Sequence, residues 1–270
     1  EDYTGGAKRG RRSSTPFLQP DTTQMETVEI GQITAYSGSC DLYTINDNNR
    51  KLYRFAQTRD RKSWLDVDLW ERNDSADKYN RRFSLPDINS DSAQEVALGM
   101  VKKSDVLLLG TEKWPEYLDL LPFDPGRKGA WYSLGFILRK VAAFQLDIDI
   151  EDLNVGYSVR HIGRKPIAEV FLSDQLENGA GYSNFLGKKQ NLKNLLDGAG
   201  AYINDELAQP PHDRCESSCY QCLRDYYNAM HHPLLDWRLG RDLLDIILGG
   251  PLNSTRWKDT EHSLAKSFAG

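Results

Sequence analysis

Trp131-Tyr132-Ser133-Leu134-Gly135-Phe136-Ile137-Leu138-Arg139-Lys140-Val141-Ala142-Ala143-Phe144-Gln145 is where this 270-residue chain changes period. Trp131, Leu134, Ile137, Leu138, Val141, Ala142 and Gln145 recur at steps of three and four, which predicts an amphipathic helix over about 129–146. Upstream the pattern is that of strands. Val28, Ile30 and Ile33 lead into Leu42-Tyr43-Thr44-Ile45, and Asn46-Asp47-Asn48-Asn49 then separates that run from Leu52-Tyr53-Arg54-Phe55. Two β-rich runs around an Asn/Asp cluster predict a hairpin. A polar loop is expected over about 72–92, then one or two buried strands across 95–109. Downstream, Asn154 to Arg160 and Ile167 to Ser173 read as strands joined by a turn at Gly163. Helix returns from Phe185, with Leu192, Leu195, Leu196, Ala199, Tyr202, Ile203 and Leu207 on one face. A last helix near 235–248 uses Leu235, Leu239, Leu243, Leu244 and Ile247. Strands first, helices later, with antiparallel hairpins between them, predict an α+β class with a C-terminal knuckle.

The knuckle is Cys215-Glu216-Ser217-Ser218-Cys219-Tyr220-Gln221-Cys222, which holds three of the four cysteines. Thiolates so close are placed to converge on one ion, and Zn²⁺ suits them because its tetrahedral sites take sulfur and imidazole. The count is too low and too clustered for a disulfide framework. Three thiolates do not close a structural site. His212 would make the spacing H-x2-C-x3-C-x2-C, and His231, His232 and Cys40 are the other candidates. The alternative is three buried cysteines packing as small hydrophobes without metal.

Net charge is −5, with 39% hydrophobic and 27% charged residues, the balance of a soluble globular chain. A uniformly basic nucleic-acid surface is excluded, though a local basic patch is not. No apolar run reaches the ~20 residues that span a membrane, so no membrane partner is expected. The start, Glu1-Asp2-Tyr3-Thr4, lacks an initiator Met and a signal peptide's apolar core. It reads as a segment of a longer protein or a processed N-terminus, and the clustered thiols point to the cytoplasm. Residues 1–26 carry Gly5, Gly6, Lys8, Arg9, Arg11 and Arg12 and read as a linker or docked tail. The expected divisions are that tail, an α+β domain over 27–210, a zinc-binding helical segment over 211–248, and a C-terminal tail over 249–270.

Cys-x3-Cys-x2-Cys-Leu-Arg-Asp-Tyr-x-Asn, followed by His232-Pro233-Leu234-Leu235-Asp236-Trp237-Arg238-Leu239-Gly240, resembles the signature of the MrfA-type zinc-binding (MZB) domain. That domain sits at the C-terminus of bacterial superfamily 2 DNA helicases and of related defence proteins. Asp105-Val106-Leu107, Gly129-Ala130-Trp131-Tyr132-Ser133-Leu134, Leu146-Asp147-Ile148 and Asn178-Gly179-Ala180-Gly181-Tyr182 follow the same family order, so the resemblance covers roughly 27–248. The Leu-Asp-Trp-Arg-Leu-Gly variant is most similar to the second, non-motor subunit of DISARM-type phage-defence complexes. Many family members place four cysteines in the cluster. His212 lies close to where the absent first cysteine falls, so the resemblance implies His212, Cys215, Cys219 and Cys222 as the ligands. His232 matches a family His that accompanies full four-cysteine sites, which gives it another job, packing on the knuckle or bonding Asp236.

Other constellations are weaker. Asn178-Gly179-Ala180-Gly181-Tyr182 between a strand and a helix could cradle a phosphate, but the Rossmann spacing is absent and a strained turn is the simpler reading. Glu169 and Asp174 could belong to a divergent Mg²⁺-dependent nuclease, yet Phe171 stands where such sites place Lys. No Walker A, G-x-S-x-G or H-E-x-x-H sequence occurs, and no catalytic residue is assigned. Arg238 and Arg241, three apart beside Trp237, suit phosphate contact with base stacking. They equally suit a structural role, with Arg238 paired to Asp242. The reading that unites these observations is a non-catalytic accessory domain with structural zinc. It would help hold DNA near a helicase motor in another segment or subunit. A nuclease and a pure protein–protein scaffold are the alternatives.

Overall fold

The computed structural model describes residues 14–18, 20–46, 52–68, 70–71, 87–115, 118, 122, 124–258, 261–262 and 265–266. The basic cluster of the N-terminal tail and most of the polar 72–92 stretch lie outside these residues. The strands are β1 (Ser14–Leu18), β2 (Glu26–Ile30), β3 (Ile33–Asn46), β4 (Tyr53–Gln57), β5 (Trp64–Asp66), β6 (Gln94–Val96), β7 (Leu98–Gly110), β8 (Leu153–Ile162) and β9 (Lys165–Asp174). The helices are α1 (Pro125–Leu146), α2 (Tyr182–Gly187), α3 (Lys189–Tyr202) and α4 (Trp237–Ile247). The class is α+β.

The chain divides into two compact units, residues 1–16 with 43–101, and residues 17–42 with 102–270. In the first, β4 lies between β5 and β6 as a three-stranded antiparallel sheet. Ala56, Val67 and Ile88 form its small core. The hairpin expected between Leu42 and Phe55 is therefore not what forms. β3 takes β2 across a turn at Gly31–Gln32, whereas β4 joins a different sheet. Pairing was decided by partners distant in sequence.

The larger unit is built on a sheet of order β1-β3-β7-β9-β8, with β2 added to β3. Gly163 and Arg164 turn the chain so that Ile162 pairs with Lys165 and Leu153 with Asp174. Alternation along these strands separates two cores. Leu107, Leu109, Leu153, Val155, Tyr157, Ala168, Val170 and Leu172 face the helices, while Val106, Leu108 and Phe171 face the other side with Leu18, Cys40 and Leu42.

Helix α1 lies over β8 and β9, with α3 and α4 packed beside it. Its start is fixed by Asp124, whose carboxylate accepts from the Gly126 and Arg127 N–H groups, with Pro125 at the first helical position. Leu134, Ile137 and Leu138 are fully buried, each contributing roughly 1.5–3 kcal/mol. Two glycines permit the close helix contacts. A Cβ at Gly240 would stand 2.8 Å from Ile137, and one at Gly129 would stand 2.8 Å from the Leu234 carbonyl.

On the opposite sheet face Glu169 is fully buried. Arg160 clamps it through Nη2 at 2.7 Å and Nε at 3.0 Å, and the same guanidinium lies 4.8 Å over the Tyr36 ring. Burial raises the Glu169 carboxyl pKa, and Arg160 opposes that rise. Arg160→Leu should cost about 3–5 kcal/mol by stranding this carboxylate, while Arg160→Leu with Glu169→Leu recovers most of the loss. Urea denaturation of the two variants decides it. Equal losses would mean that the ion pair does not govern stability on this face.

Candidate metal centre

Beyond α3 the chain makes a π-turn over Ile203–Leu207 and a 3-10 turn over His212–Arg214. Cys219 to Cys222 then tightens into a turn in which the Cys222 N–H donates to the Cys219 carbonyl at 3.2 Å. These short local turns bring the ligating atoms of His212, Cys215, Cys219 and Cys222 within 4.8 Å of one another. His212 Nδ1 lies 3.5 Å from the Cys219 sulfur and 4.0 Å from that of Cys215. Tetrahedral bonds of about 2.0–2.3 Å require donor separations of about 3.3–3.8 Å, so the donor set fits Zn²⁺ with little adjustment.

Full ionisation of the cluster calls for a cation. Burial and the neighbouring sulfurs push the Cys215 thiol up to about 12, and burial also raises Cys222. Burial acts the same way on Cys219, but N–H donors from Gln221 and Cys222 outweigh it and bring that thiol down to about 7. Three thiols in contact resist ionising together, and a divalent cation reverses that resistance.

The knuckle is bolted to the helices on two sides. Towards α1, the Asp225 carboxylate pairs with the buried Arg139, and Lys140 Nζ donates to the Cys222 carbonyl at 2.9 Å. Towards α4, Arg238 Nη2 donates to the carbonyls of Asp213 at 2.8 Å and Cys215 at 3.0 Å. Ser218 Oγ donates to the Leu235 carbonyl at 2.8 Å, and Arg224 Nε donates to Ser218 at 2.9 Å. Asn228 exchanges hydrogen bonds with Asp225 and donates to the Leu223 carbonyl at 2.7 Å. The Cys-Leu-Arg-Asp-Tyr-x-Asn run is thus a set of braces.

Each remaining candidate has a place. Cys40 is buried in the second sheet core, away from the cluster. His232 Nε2 lies 2.8 Å from Asn228 Oδ1 and 3.0 Å from the Asp225 carbonyl, so its partners are these rather than Asp236, and its ring packs on Tyr220. Arg238 is not paired with Asp242, whose carboxylate instead accepts from Arg256 and Trp257. Arg241 Nε bonds Asp245 at 2.8 Å, and its Nη1 donates to Asn204 at 2.6 Å. Trp237 is buried, which leaves it no face for a base.

Asp174 is fully buried and accepts from the N–H groups of Ala180 (2.7 Å), Tyr182 (3.0 Å) and Ser183 (2.9 Å). Those are the donors that a phosphate at the glycine-rich turn would need, so the chain's own carboxylate fills that place. Glu169 and Asp174 stand five residues apart on β9 and point to opposite faces, so they do not converge on a shared metal.

No family model matches the chain. Over 180 residues, 64% of its length, it is 28% identical to the Druantia protein DruE of Escherichia coli (strain UMEA 4076-1), of which it spans 9%. It is also similar to a crystal structure of the DUF1998 helicase MrfA bound to DNA, with TM-score 0.49 and 10% identity over 87% of this chain and 24% of that one. A second structure of that helicase, with DNA and AMPPNP, gives TM-score 0.38 and 11% identity over 81% of this chain and 23% of that one. No helix among the described residues is long and apolar enough to cross a membrane.

Beside the knuckle, His231 stacks on Tyr132 with ring centroids 4.1 Å apart. Burial, then His232 and Arg139, bring its pKa down from 6.5 to about 4. The folded state therefore binds fewer protons between those values, and stability held above pH 6.5 is lost as the pH falls towards 4. The full loss is about 3 kcal/mol. His231→Phe keeps the stack and removes the titration. Urea midpoints at pH 7.5 and 5 should differ less for this variant than for the natural chain, and equal differences would contradict a buried neutral imidazole.

Proposed function

We propose that the chain is a zinc-bearing accessory domain of a helicase-linked antiphage defence or DNA-repair protein, acting in the cytoplasm by binding and architecture. The observation that carries this reading is the convergence of His212, Cys215, Cys219 and Cys222 on one point, braced to α1 and α4. These four residues would hold Zn²⁺, which supplies a closed structural site with no open position for water. The MZB-type motif order supports placement beside a helicase motor in another segment or subunit, and the motif variant supports the second-subunit DISARM type. Nucleotide hydrolysis falls to that motor. The chain's own residues position the assembly and hold DNA.

Phosphate contact through Arg238 and Arg241 requires each to exchange an internal partner, the knuckle carbonyls for Arg238 and Asp245 with Asn204 for Arg241. Arg238 braces the knuckle, so Arg241 is the cleaner test. Arg241→Glu should weaken binding of the chain to duplex DNA and reduce the slope of log K against log salt by about 1. An unchanged slope would confine Arg241 to Asp245 and Asn204 and favour the protein–protein scaffold.

The metal has its own test. The purified chain should hold one zinc. Because metal binding is coupled to local folding, Cys219→Ser should accelerate hydrogen exchange over residues 212–240 and leave β8 and β9 protected. Unchanged protection across the knuckle would mean that packing alone forms it.

A further inference from the structure

A cavity of about 190 Å³ opens between α1 and the knuckle, lined by Phe136, Ile150, Tyr220, Cys222 and Leu223 together with Arg139, Lys140, Arg224 and Asp225. It is smaller than the roughly 300–1,000 Å³ of sites that enclose whole small-molecule ligands. Its walls are an aromatic ring, two aliphatic side chains and the Tyr220 ring. Three cations line it against one carboxylate. Arg139 is 4% exposed and pairs with Asp225, yet its buried Nε–H has no partner among the described residues. A buried donor without a hydrogen-bond partner is costly, and the guanidinium that carries it lies 4.8 Å over the Phe136 ring. In the same segment of chain, large aromatic side chains lie open. Tyr220 is 71% exposed and Tyr226 76%, with Tyr227 edge-on to Tyr226 at 5.4 Å.

We propose that this cavity takes one unpaired nucleobase of a DNA single strand. The base would lie against Tyr220 and Ile150, with an edge oxygen or nitrogen accepting from Arg139 Nε. Neighbouring bases would stack on Tyr226 and Tyr227. A small cavity walled by rings and aliphatic side chains, with a net positive lining, suits a planar ring joined to phosphates. A saturated ligand would leave the ring faces unused, and a cationic one would be repelled by the lining. The inference rests on the DNA-handling role proposed above and names the form of DNA that the domain recognises.

Fluorescence anisotropy of the full chain with two labelled single strands of equal length, one of thymidines and one of abasic sites, tests it. Tyr220→Ala removes a solvent-facing ring, and Ile150→Trp fills the slot while adding an aromatic. Both variants are checked for folding by circular dichroism. The thymidine strand should bind more tightly than the abasic strand. Each variant should lower thymidine affinity by about 5- to 150-fold, the range of one stacked base, and leave abasic affinity unchanged. Equal binding of the two strands, or thymidine affinity untouched by Tyr220→Ala, would overturn the base site while leaving the DNA reading standing. Failure to bind either strand at low salt would overturn that reading itself, and the base site with it.

Discussion

The buried guanidinium of Arg139 is the constraint on which the rest of this unit depends. It projects from the middle of α1, the helix that also fills the main core, and meets Asp225 of the knuckle. Burial lowers its pKa and Asp225 opposes that shift, so each charge needs the other. Removing one member of such a pair costs about 3–5 kcal/mol, a large share of the 5–15 kcal/mol that typically holds a domain folded. Asp225 also orders Asn228, which in turn bonds His232 and the Leu223 carbonyl. One ion pair therefore fixes the orientation of the whole segment that follows the third cysteine.

The second fastening comes from α4. Arg238 donates to the carbonyls of Asp213 and Cys215, in the segment that carries the His212 imidazole and the Cys215 sulfur. Because Gly129 and Gly240 let α4 and its approach lie close to α1, both fastenings converge on the same helix. A ligand shell carried on short turns gains its rigidity this way, since such turns have little core of their own. The consequence for function is that whatever the knuckle touches is held in register with α1 and the sheet.

Much of this was legible in the sequence where the deciding contacts are local. The stripe from Trp131 to Gln145 located α1, and Gly163 located the turn between β8 and β9. The four metal-ligand candidates lie within eleven residues, and the structure brings their ligating atoms together. Asp124 followed by Pro125 was an available start signal that would have extended α1 by a turn. The Arg160–Glu169 pair was also within reach, because a two-residue turn at Gly163–Arg164 sets the register that makes these residues diagonal neighbours. Other features depended on distance. Nothing near Leu42 or Phe55 says that β3 and β4 enter different sheets. Nothing near Arg238 reveals that Asp242 is already taken by Arg256 and Trp257. Sequence adjacency suggested stacking on Trp237, whereas burial of that ring leaves exposed aromatic faces on Tyr220 and Tyr226 instead.

The central claim is that one imidazole and three thiolates, braced by α1 and α4, form a closed zinc shell. X-ray absorption at the zinc edge on the purified chain tests it most directly. The account predicts three sulfurs at about 2.3 Å and one nitrogen at about 2.0–2.1 Å, with the nitrogen lost in His212→Ala. A shell of four sulfurs, a bound water oxygen in the natural chain, or a nitrogen retained after His212→Ala would contradict it.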